Sequence, residues 1–161
     1  MTRELIGFLA ISLVAVIALS IWLSTKKKRR IQEQSISAPQ PATATGDFAA
    51  LYVSTVLDEA RLDRIWAHGL GMRGNAMLAV DPSGVSVVRV GEESFLIPAH
   101  ELHLVEAATA TIDKAVEKSG LTAIHWSLGD TKVISHFRFT NPLERKEFES
   151  KILQLIGAQI G

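Results

Sequence analysis

The sequence has no cysteine among its 161 residues. That absence excludes a disulfide framework, a metal site built on thiolates and a cysteine nucleophile. Recognisable catalytic motifs are missing as well: there is no Gly-x-Ser-x-Gly elbow, no phosphate-binding loop and no acidic pair in a known motif. We therefore expect a non-enzymatic binding protein without a cofactor, and the length is enough for one domain with its own core.

The chain also has no formal net charge, because 17 basic residues balance 17 acidic residues. The basic and acidic residues are, however, unevenly distributed along the sequence. Five basic residues are consecutive at positions 26–30. From residue 47 onward there are eleven basic and fifteen acidic residues, a net charge near −4. Because nucleic acid and anionic membrane surfaces repel an acidic domain, we expect no nucleic acid partner.

No charge and no proline interrupt residues 5–23, LIGFLAISLVAVIALSIWL. As a helix this run is about 28 Å long, close to the hydrocarbon thickness of a bilayer. A cleaved signal peptide is the alternative, but its apolar region is normally shorter and is followed directly by small residues. Here the basic residues 26–30 follow, and the Ala-x-Ala sequence at 42–44 lies far downstream. We therefore predict an uncleaved transmembrane helix over residues 5–23.

The basic residues predict the direction of this span, because positive charges beside a span remain in the cytoplasm. Arg3 and Glu4 are the only charged side chains on the other side of the apolar run. We expect a single-pass plasma-membrane protein with residues 1–4 outside and the C-terminus in the cytoplasm. The residues predicted to anchor it are Trp22, Lys26, Lys27, Lys28, Arg29 and Arg30. The segment 24–30 is interpreted as a stop-transfer signal, although its charges would also attract anionic lipid.

Residues 31–46, IQEQSISAPQPATATG, contain a single charged residue and are rich in Ser, Ala, Thr, Gln and Pro. Such a composition cannot bury a core, and Pro39 and Pro41 favour extended backbone. We predict a flexible linker here, followed by one folded domain over residues 47–161.

The domain is predicted to be mainly β, because short apolar runs alternate with turn residues. The predicted strands are 51–56, 75–80, 85–90, 94–98, 102–107, 121–128 and 131–139. The clearest hairpin joins the last two through Gly129-Asp130, which suits a type II′ turn. Pairing Leu128 with Thr131 places apolar side chains on one face. It places His125, Ser127, Lys132, His136 and Arg138 on the other, predicted to face water.

A C-terminal helix is predicted after residue 141. Asn141 is a suitable N-cap, Pro142 suits the first helical position and Glu144 completes a capping box. The apolar stripe of this helix is formed by Phe148, Ile152, Leu155 and Ile156. A second, shorter helix is predicted over 113–119. About seven strands followed by one amphipathic helix suggest an antiparallel barrel or sandwich capped by that helix.

Seven strands with a C-terminal helix are similar to the pleckstrin-homology-like (PH-like) fold. Parts of the sequence resemble small actinobacterial membrane proteins, described as single-span proteins with a PH-like domain and sometimes labelled as transporter or export proteins. The resembling segments are 62–74 (LDRIWAHGLGMRG), 95–98 (FLIP), 111–116 (TIDKAV) and His125-Trp126. The resemblance implies the fold and a membrane location, but no established activity.

Lipid-binding PH domains carry a cluster of Lys and Arg between their first two strands. In this chain that segment is electrically balanced, with the residues Arg61, Arg64 and Arg73 opposed by Asp58, Glu59 and Asp63. The balance argues against strong phosphoinositide binding, even for a domain with the fold that the resemblance implies.

Residues 69–74 match the pattern Gly-x-Gly-x-x-Gly of dinucleotide-binding proteins. That mechanism requires a helix after the glycines and an acidic residue about 20 positions later, to bind pyrophosphate and ribose. Here a predicted strand follows, and Arg89 stands where the acidic residue would be. We therefore interpret the glycines as part of a tight loop.

Four histidines raise the possibility of a metal site: His100, His103, His125 and His136. The first two are three residues apart, whereas a zinc-binding helix needs a spacing of four. Nothing in the sequence requires the four to converge, so we interpret them as surface residues.

The most promising contact segment lies between the first two predicted strands, because tryptophan and arginine often anchor interfaces. Its candidate contact residues are Arg61, Arg64, Trp66, His68 and Arg73. The alternative is that Ile65 and Trp66 simply belong to the core. The sequence thus predicts a membrane-anchored cytoplasmic module that binds a protein partner. An accessory subunit of a transport or export system, acting through its span, is the second possibility.

Overall fold

The computed structural model describes residues 2–108 and 121–161, so the helix predicted at 113–119 lies outside the described residues. In chain order the elements are α1 (Thr2–Ser35), β1 (Phe48–Leu57), β2 (Gly74–Asp81), β3 (Gly84–Arg89), β4 (Phe95–Pro98), β5 (Leu102–Ala108), β6 (Leu121–Leu128), β7 (Thr131–Arg138) and α2 (Pro142–Ile160). Two short 3₁₀ turns, Ala67–Gly69 and Ala99–Glu101, complete the list of helical elements in these ranges. The mainly-β fold with a C-terminal helix is confirmed.

Helix α1 contains the apolar run and continues well beyond it. Its most apolar 18-residue window has a mean hydropathy of 2.6, and none of that window is buried inside the protein. The helix is therefore long and apolar enough to cross a membrane, a property that N-terminal signal sequences share. Lys, Arg, Gln and Glu are good helix formers, which explains why the helix extends through the basic residues to Ser35.

The seven strands form one antiparallel sheet in the order β4-β3-β2-β1-β7-β6-β5. The hairpin of β6 and β7 has the predicted register, with Leu128 opposite Thr131. Strand β1 contains a bulge between Tyr52 and Ser54 where it pairs with β7. Because neighbouring strands are antiparallel, the β1–β2, β3–β4 and β6–β7 connections all lie at one end of the sheet.

The core is rich in aromatic contacts. Tyr52 packs edge-on against Phe95 and Phe137, and Phe95 stacks on Trp126 with ring centres 6.2 Å apart. Such arrangements contribute about 0.5–1.5 kcal/mol per pair beyond their burial. Helix α2 contributes Phe148, which is fully buried. This helix therefore closes the core, as its apolar stripe predicts.

The N-terminus of α2 is capped by Asn141, whose side-chain oxygen accepts the N–H of Leu143 at 3.0 Å. Glu144 accepts a hydrogen bond from the side-chain amide of Asn141 at 3.4 Å. The predicted N-cap is therefore confirmed, whereas Glu144 accepts its hydrogen bond from the side chain of Asn141 instead of from the backbone N–H that a capping box uses.

Of the five side chains of β6 and β7 that were predicted to face water, the prediction is wrong for one, His136. His136 is only 9% exposed, and Ile134 on the same face is 2% exposed. Ile134 forms a small second apolar cluster with Val56 and Ala123. The alternation of side chains is as predicted, but strand β1 adds an apolar neighbour that buries part of this face.

The segment 31–46 is not a free linker. Residues 31–35 continue α1, and Gln40 forms an antiparallel bridge with Leu96 at the edge of β4. Further on, the backbone N–H groups of Thr43 and Ala44 donate to Ser86 Oγ, each at 3.2 Å. Prolines do favour extended backbone here, and that extended chain covers an edge strand that would otherwise expose its hydrogen-bonding groups.

Candidate interaction surface at the β1–β2 loop

The connection between β1 and β2, residues 58–73, is tied to the end of the sheet by backbone hydrogen bonds. The N–H of Thr55 donates to Leu70 O at 2.9 Å, and the N–H of Ile65 donates to Thr55 O at 2.9 Å. The hydroxyl of Tyr52 also donates to Leu70 O, at 2.6 Å. Burial raises the pKa of Tyr52, so this hydroxyl keeps its proton. The loop therefore has a defined shape despite its length.

Arg89 holds the same loop from β3. Its guanidinium donates to Gly69 O at 2.8 Å and to Glu93 O at 2.9 and 2.6 Å. The guanidinium carbon lies 5.0 Å from the ring centre of Tyr52 and 5.3 Å from that of Phe95. Burial lowers the pKa of Arg89, which is 6% exposed. Sequence analysis gave no structural role to this residue, because an arginine in a strand is usually a surface residue.

The five predicted contact residues lie on this loop with different exposures. Arg61 and Arg73 are exposed, whereas Arg64, Trp66 and His68 are partly buried. Ile65 is completely buried, so the core interpretation applies to Ile65. It does not apply fully to Trp66, which keeps part of its ring at the surface.

Trp66 is held by its neighbours in the loop. A Cβ atom built on Gly71 would lie 2.7 Å from the ring atom Cε3 of Trp66, so the indole packs directly against a residue that must be small. The guanidinium carbon of Arg64 lies 5.5 Å from the Trp66 ring centre. This is within the range of a cation–π contact and keeps Arg64 over the indole.

Two large apolar side chains of the loop face solvent. Leu62 is 73% exposed and Met72 is 47% exposed. They adjoin the exposed arginines Arg61 and Arg73 in sequence. Sequence analysis missed both residues, because neither apolar periodicity nor a motif distinguishes an exposed loop leucine from a core leucine.

The end of α1 contacts the same loop, which the sequence did not predict. The side chain of Gln32 donates to Arg64 O at 3.3 Å and accepts the N–H of Trp66 at 2.7 Å. One turn later, Ile36 O accepts a hydrogen bond from His68 Nε2 at 2.9 Å. Ile36 itself is 7% exposed and belongs to the main core. The only sequence signal was an isoleucine four residues after a glutamine in a segment that otherwise looked like a linker.

The predicted anchoring residues all lie on the exposed surface of α1. Lys26 Nζ lies 3.7 Å from the ring centre of Trp22, and Arg29 pairs with Glu33 at 2.8 Å. Lys27, Lys28 and Arg30 share this part of the helix. The helix therefore keeps the basic residues within two turns of the apolar run and exposes them together.

The four histidines do not converge. His100 is near Glu101 at 3.6 Å, and His103 bonds to Ser127 at 2.6 Å. His125 lies between two carboxylates, 3.0 Å from Glu106 and 3.6 Å from Asp58. Within residues 2–108 and 121–161, no three metal-ligating side chains are placed to hold an ion.

His136 is the one buried histidine of this group. Burial, together with the nearby charges of His125 and Arg61, lowers its pKa from 6.5 to about 4. Its cross-strand neighbour Ser54 is also buried, and the Ser54 hydroxyl has no hydrogen-bond partner among the residues that the structure describes. At neutral pH the imidazole of His136 is therefore uncharged.

The glycines at 69–74 form a tight loop, as expected. Gly69 has φ +69°, and strand β2, not a helix, begins at Gly74. The N-terminus of a helix that binds pyrophosphate in dinucleotide-binding proteins is therefore missing at this motif.

Two comparisons with known proteins bear on this arrangement. No curated protein matches the chain. The family model described as bacterial PH domain-like matches residues 32–152. The match begins at Gln32, so it includes the end of α1 that contacts the β1–β2 loop, and it extends into α2. Since the match covers most of the chain and the fold is a seven-stranded antiparallel sheet with a C-terminal helix, this chain belongs to the bacterial PH domain-like family.

Proposed function

We propose that this chain is a membrane-anchored PH-like module that binds a protein partner at the inner face of the plasma membrane, without catalysing a reaction. The contact of Gln32 with Trp66 supports this function, because it holds the β1–β2 loop beside α1. Gln32 is nine residues after Leu23, the end of the apolar run. Nine helical residues span about 14 Å, so the loop lies close to the headgroup layer of a bilayer that contains the apolar run.

The exposed side chains of the β1–β2 loop are of types that commonly bind a protein partner. Arg61 and Leu62 are exposed neighbours near the start of the loop, Met72 and Arg73 are exposed neighbours at its end, and Trp66 between them is partly exposed. Arginine and tryptophan are enriched among the residues that dominate binding energy at protein interfaces. The three arginines of residues 58–73 are balanced by three acidic residues, so the loop lacks the excess positive charge that would favour a phosphoinositide.

In-cell photocrosslinking of the full-length chain tests this function. A photoreactive amino acid replaces Leu62 in one variant and Leu143 in a control, because Leu143 is equally exposed, at 76%, but lies on α2. We expect a discrete protein adduct from position 62 only, identified by mass spectrometry. Crosslinks to lipid alone, or the same proteins captured from both positions, would contradict the proposal.

A matched pair of variants then tests which side chains carry the contact. The double variant Arg61→Ala/Arg73→Ala is expected to lose the adduct from position 62. The double variant Lys146→Ala/Lys151→Ala removes the same amount of charge from α2, where the Lys151 side chain is 42% exposed, and is expected to keep it. Equal yields from both double variants would mean that the arginines do not contribute.

An accessory role in a transport or export system is the second candidate, and the exposed surface of α1 favours it. The side chains of the apolar window are not buried by the domain, so they remain free to pack against partner helices. Small residues that permit close helix contact occur along the run, at Gly7, Ala10, Ser12, Ala15 and Ala18. Replacing residues 5–23 with an unrelated span of the same length separates the two roles, since only the accessory role requires the native span.

A further inference from the structure

The end of α1 lies between two of the connections at one end of the sheet. His68 of the β1–β2 loop bonds to Ile36 O, and the next residue, Ser37, lies against the β6–β7 turn. A Cβ atom built on Gly129 in that turn would be 3.2 Å from Ser37 Cβ. We call residues 32–37 the docked segment, because its buried side chain Ile36 belongs to the core of the domain.

The docked segment binds the loop in the way a peptide ligand would. The amide of Gln32 satisfies one backbone carbonyl and one backbone N–H, those of Arg64 and Trp66. Side-chain amides are suited to this, since they carry a donor and an acceptor side by side. Four residues later Ile36 supplies the apolar anchor, and its own carbonyl accepts the imidazole N–H of His68.

The loop conformation at this contact is unusual. His68 has φ +54°, in the left-handed region that residues with a side chain rarely adopt. Such a conformation persists only where surrounding contacts fix it. On one side Ile36 O holds the His68 side chain, and on the other Arg89 holds the Gly69 carbonyl. Release of the docked segment would remove one of these two restraints.

We propose that residues 32–37 act as an intramolecular ligand of this end of the domain, and that their release loosens the β1–β2 loop. A partner that tilts or pulls α1 would then change the surface that carries Arg61, Leu62 and Met72. The contacts of Gln32 and Ile36 hold the docked segment in place, whereas the regulatory consequence of its release rests on the proposed function. The ligand is therefore the end of the chain's own helix. Its recognised groups are the side-chain amide of Gln32 and the aliphatic side chain of Ile36, four residues later.

Amide hydrogen exchange on the full-length chain in nanodiscs of phosphatidylethanolamine and phosphatidylglycerol tests the proposal. The variant Gln32→Ala removes both amide contacts, and Gln34→Ala is the matched control, because Gln34 is exposed on the same helix. Exchange across residues 61–73 is expected to become about tenfold faster in Gln32→Ala, the effect of losing about 1.4 kcal/mol of local stability. Exchange in Gln34→Ala is expected to match the parent chain.

Three results would overturn the proposal. One is unchanged exchange across residues 61–73 in Gln32→Ala. Another is an equal increase across β6 and β7, which would mean general destabilisation of the domain. A third is protection of the loop that grows with the number of chains per nanodisc, since the segment would then dock on a second copy. The proposed function fails separately, if a photoreactive amino acid at position 62 gives no specific protein adduct in a chain that keeps Gln32.

Discussion

The guanidinium of Arg89 and the backbone carbonyl of Gly69 form a buried hydrogen bond of 2.8 Å between β3 and the β1–β2 loop. The same guanidinium donates to Glu93 O in the β3–β4 turn. One side chain therefore joins two of the three connections at this end of the sheet. The shape of the candidate surface consequently depends on a residue that takes no part in it.

Replacing this arginine is expected to destabilise the domain. Arg89→Met keeps much of the side-chain volume but leaves the carbonyls of Gly69 and Glu93 without their donor. Losing buried hydrogen bonds to a charged group costs about 3 kcal/mol. Urea denaturation of the detergent-solubilised chain, followed by tryptophan fluorescence, measures the change. Arg138→Met on β7 is the control and is expected to stay within about 0.5 kcal/mol of the parent, because Arg138 is partly exposed.

Local patterns predicted the elements of the fold. Alternation and turn residues gave all seven strands, and the Leu128–Thr131 register followed from the position of Gly129-Asp130. Asn141 marked the start of α2 in the same way. These features depend on neighbours in sequence, so one sequence is enough to predict them.

The parts that the sequence did not predict depend on distant partners. Gln32 contacts a residue 34 positions away, and Gln40 pairs with Leu96. A polar, proline-containing segment has the composition of a free linker whether or not a sheet edge is available to it. Sequence analysis selected the β1–β2 loop, but the docked helix end and the role of Arg89 required the topology.

The packing of the segment before β1 is testable at Gly46. A Cβ atom there would overlap the backbone carbon of Met77 and lie 2.5 Å from the N atom of Leu78. Gly46→Val is therefore expected to push the segment off β2 and to lower the free energy of unfolding by about 2 kcal/mol. Limited proteolysis is expected to show new cleavage within residues 37–46, which a docked segment resists.

Gly157 provides a control, because its substitution is expected to change the stability in the opposite direction. It lies in α2, and a Cβ atom built there meets no atom of the described part of the chain within 4 Å. Gly157→Ala is expected to raise the free energy of unfolding by about 0.5–1 kcal/mol, because alanine has the higher helix propensity. If Gly46→Val and Gly157→Ala had the same effect on stability, the close packing of Gly46 against β2 would be wrong.

The buried imidazole of His136 predicts a loss of stability in acid. Its pKa in the folded chain, about 4, is below its ordinary value of 6.5. Between these pH values the unfolded chain binds more protons than the folded chain, so the free energy of unfolding decreases as the pH falls from 6.5 to about 4. The whole decrease from this group amounts to about 3 kcal/mol.

The substitution His136→Gln removes this titration. The free energy of unfolding of the variant is expected to fall less steeply over this pH range than that of the parent chain, as measured by urea denaturation at a series of pH values. His100→Gln serves as the control, because the side chain of His100 is 74% exposed. A variant at position 136 with the same pH dependence as the parent would show that other groups cause the acid sensitivity.

The orientation of the chain is testable with reporters fused after Gly161. We expect a fluorescent protein that matures only in the cytoplasm to be bright, and alkaline phosphatase, which is active only outside, to be inactive.

Replacing Lys26, Lys27, Lys28, Arg29 and Arg30 with glutamine removes the charge asymmetry and is expected to give a mixture of orientations. Replacing Lys146 and Lys151 instead leaves the flanks of the span unchanged and is expected to have no effect. Strong phosphatase activity with the native basic residues would show that the chain has the opposite orientation. The β1–β2 loop would then face a partner outside the cytoplasm.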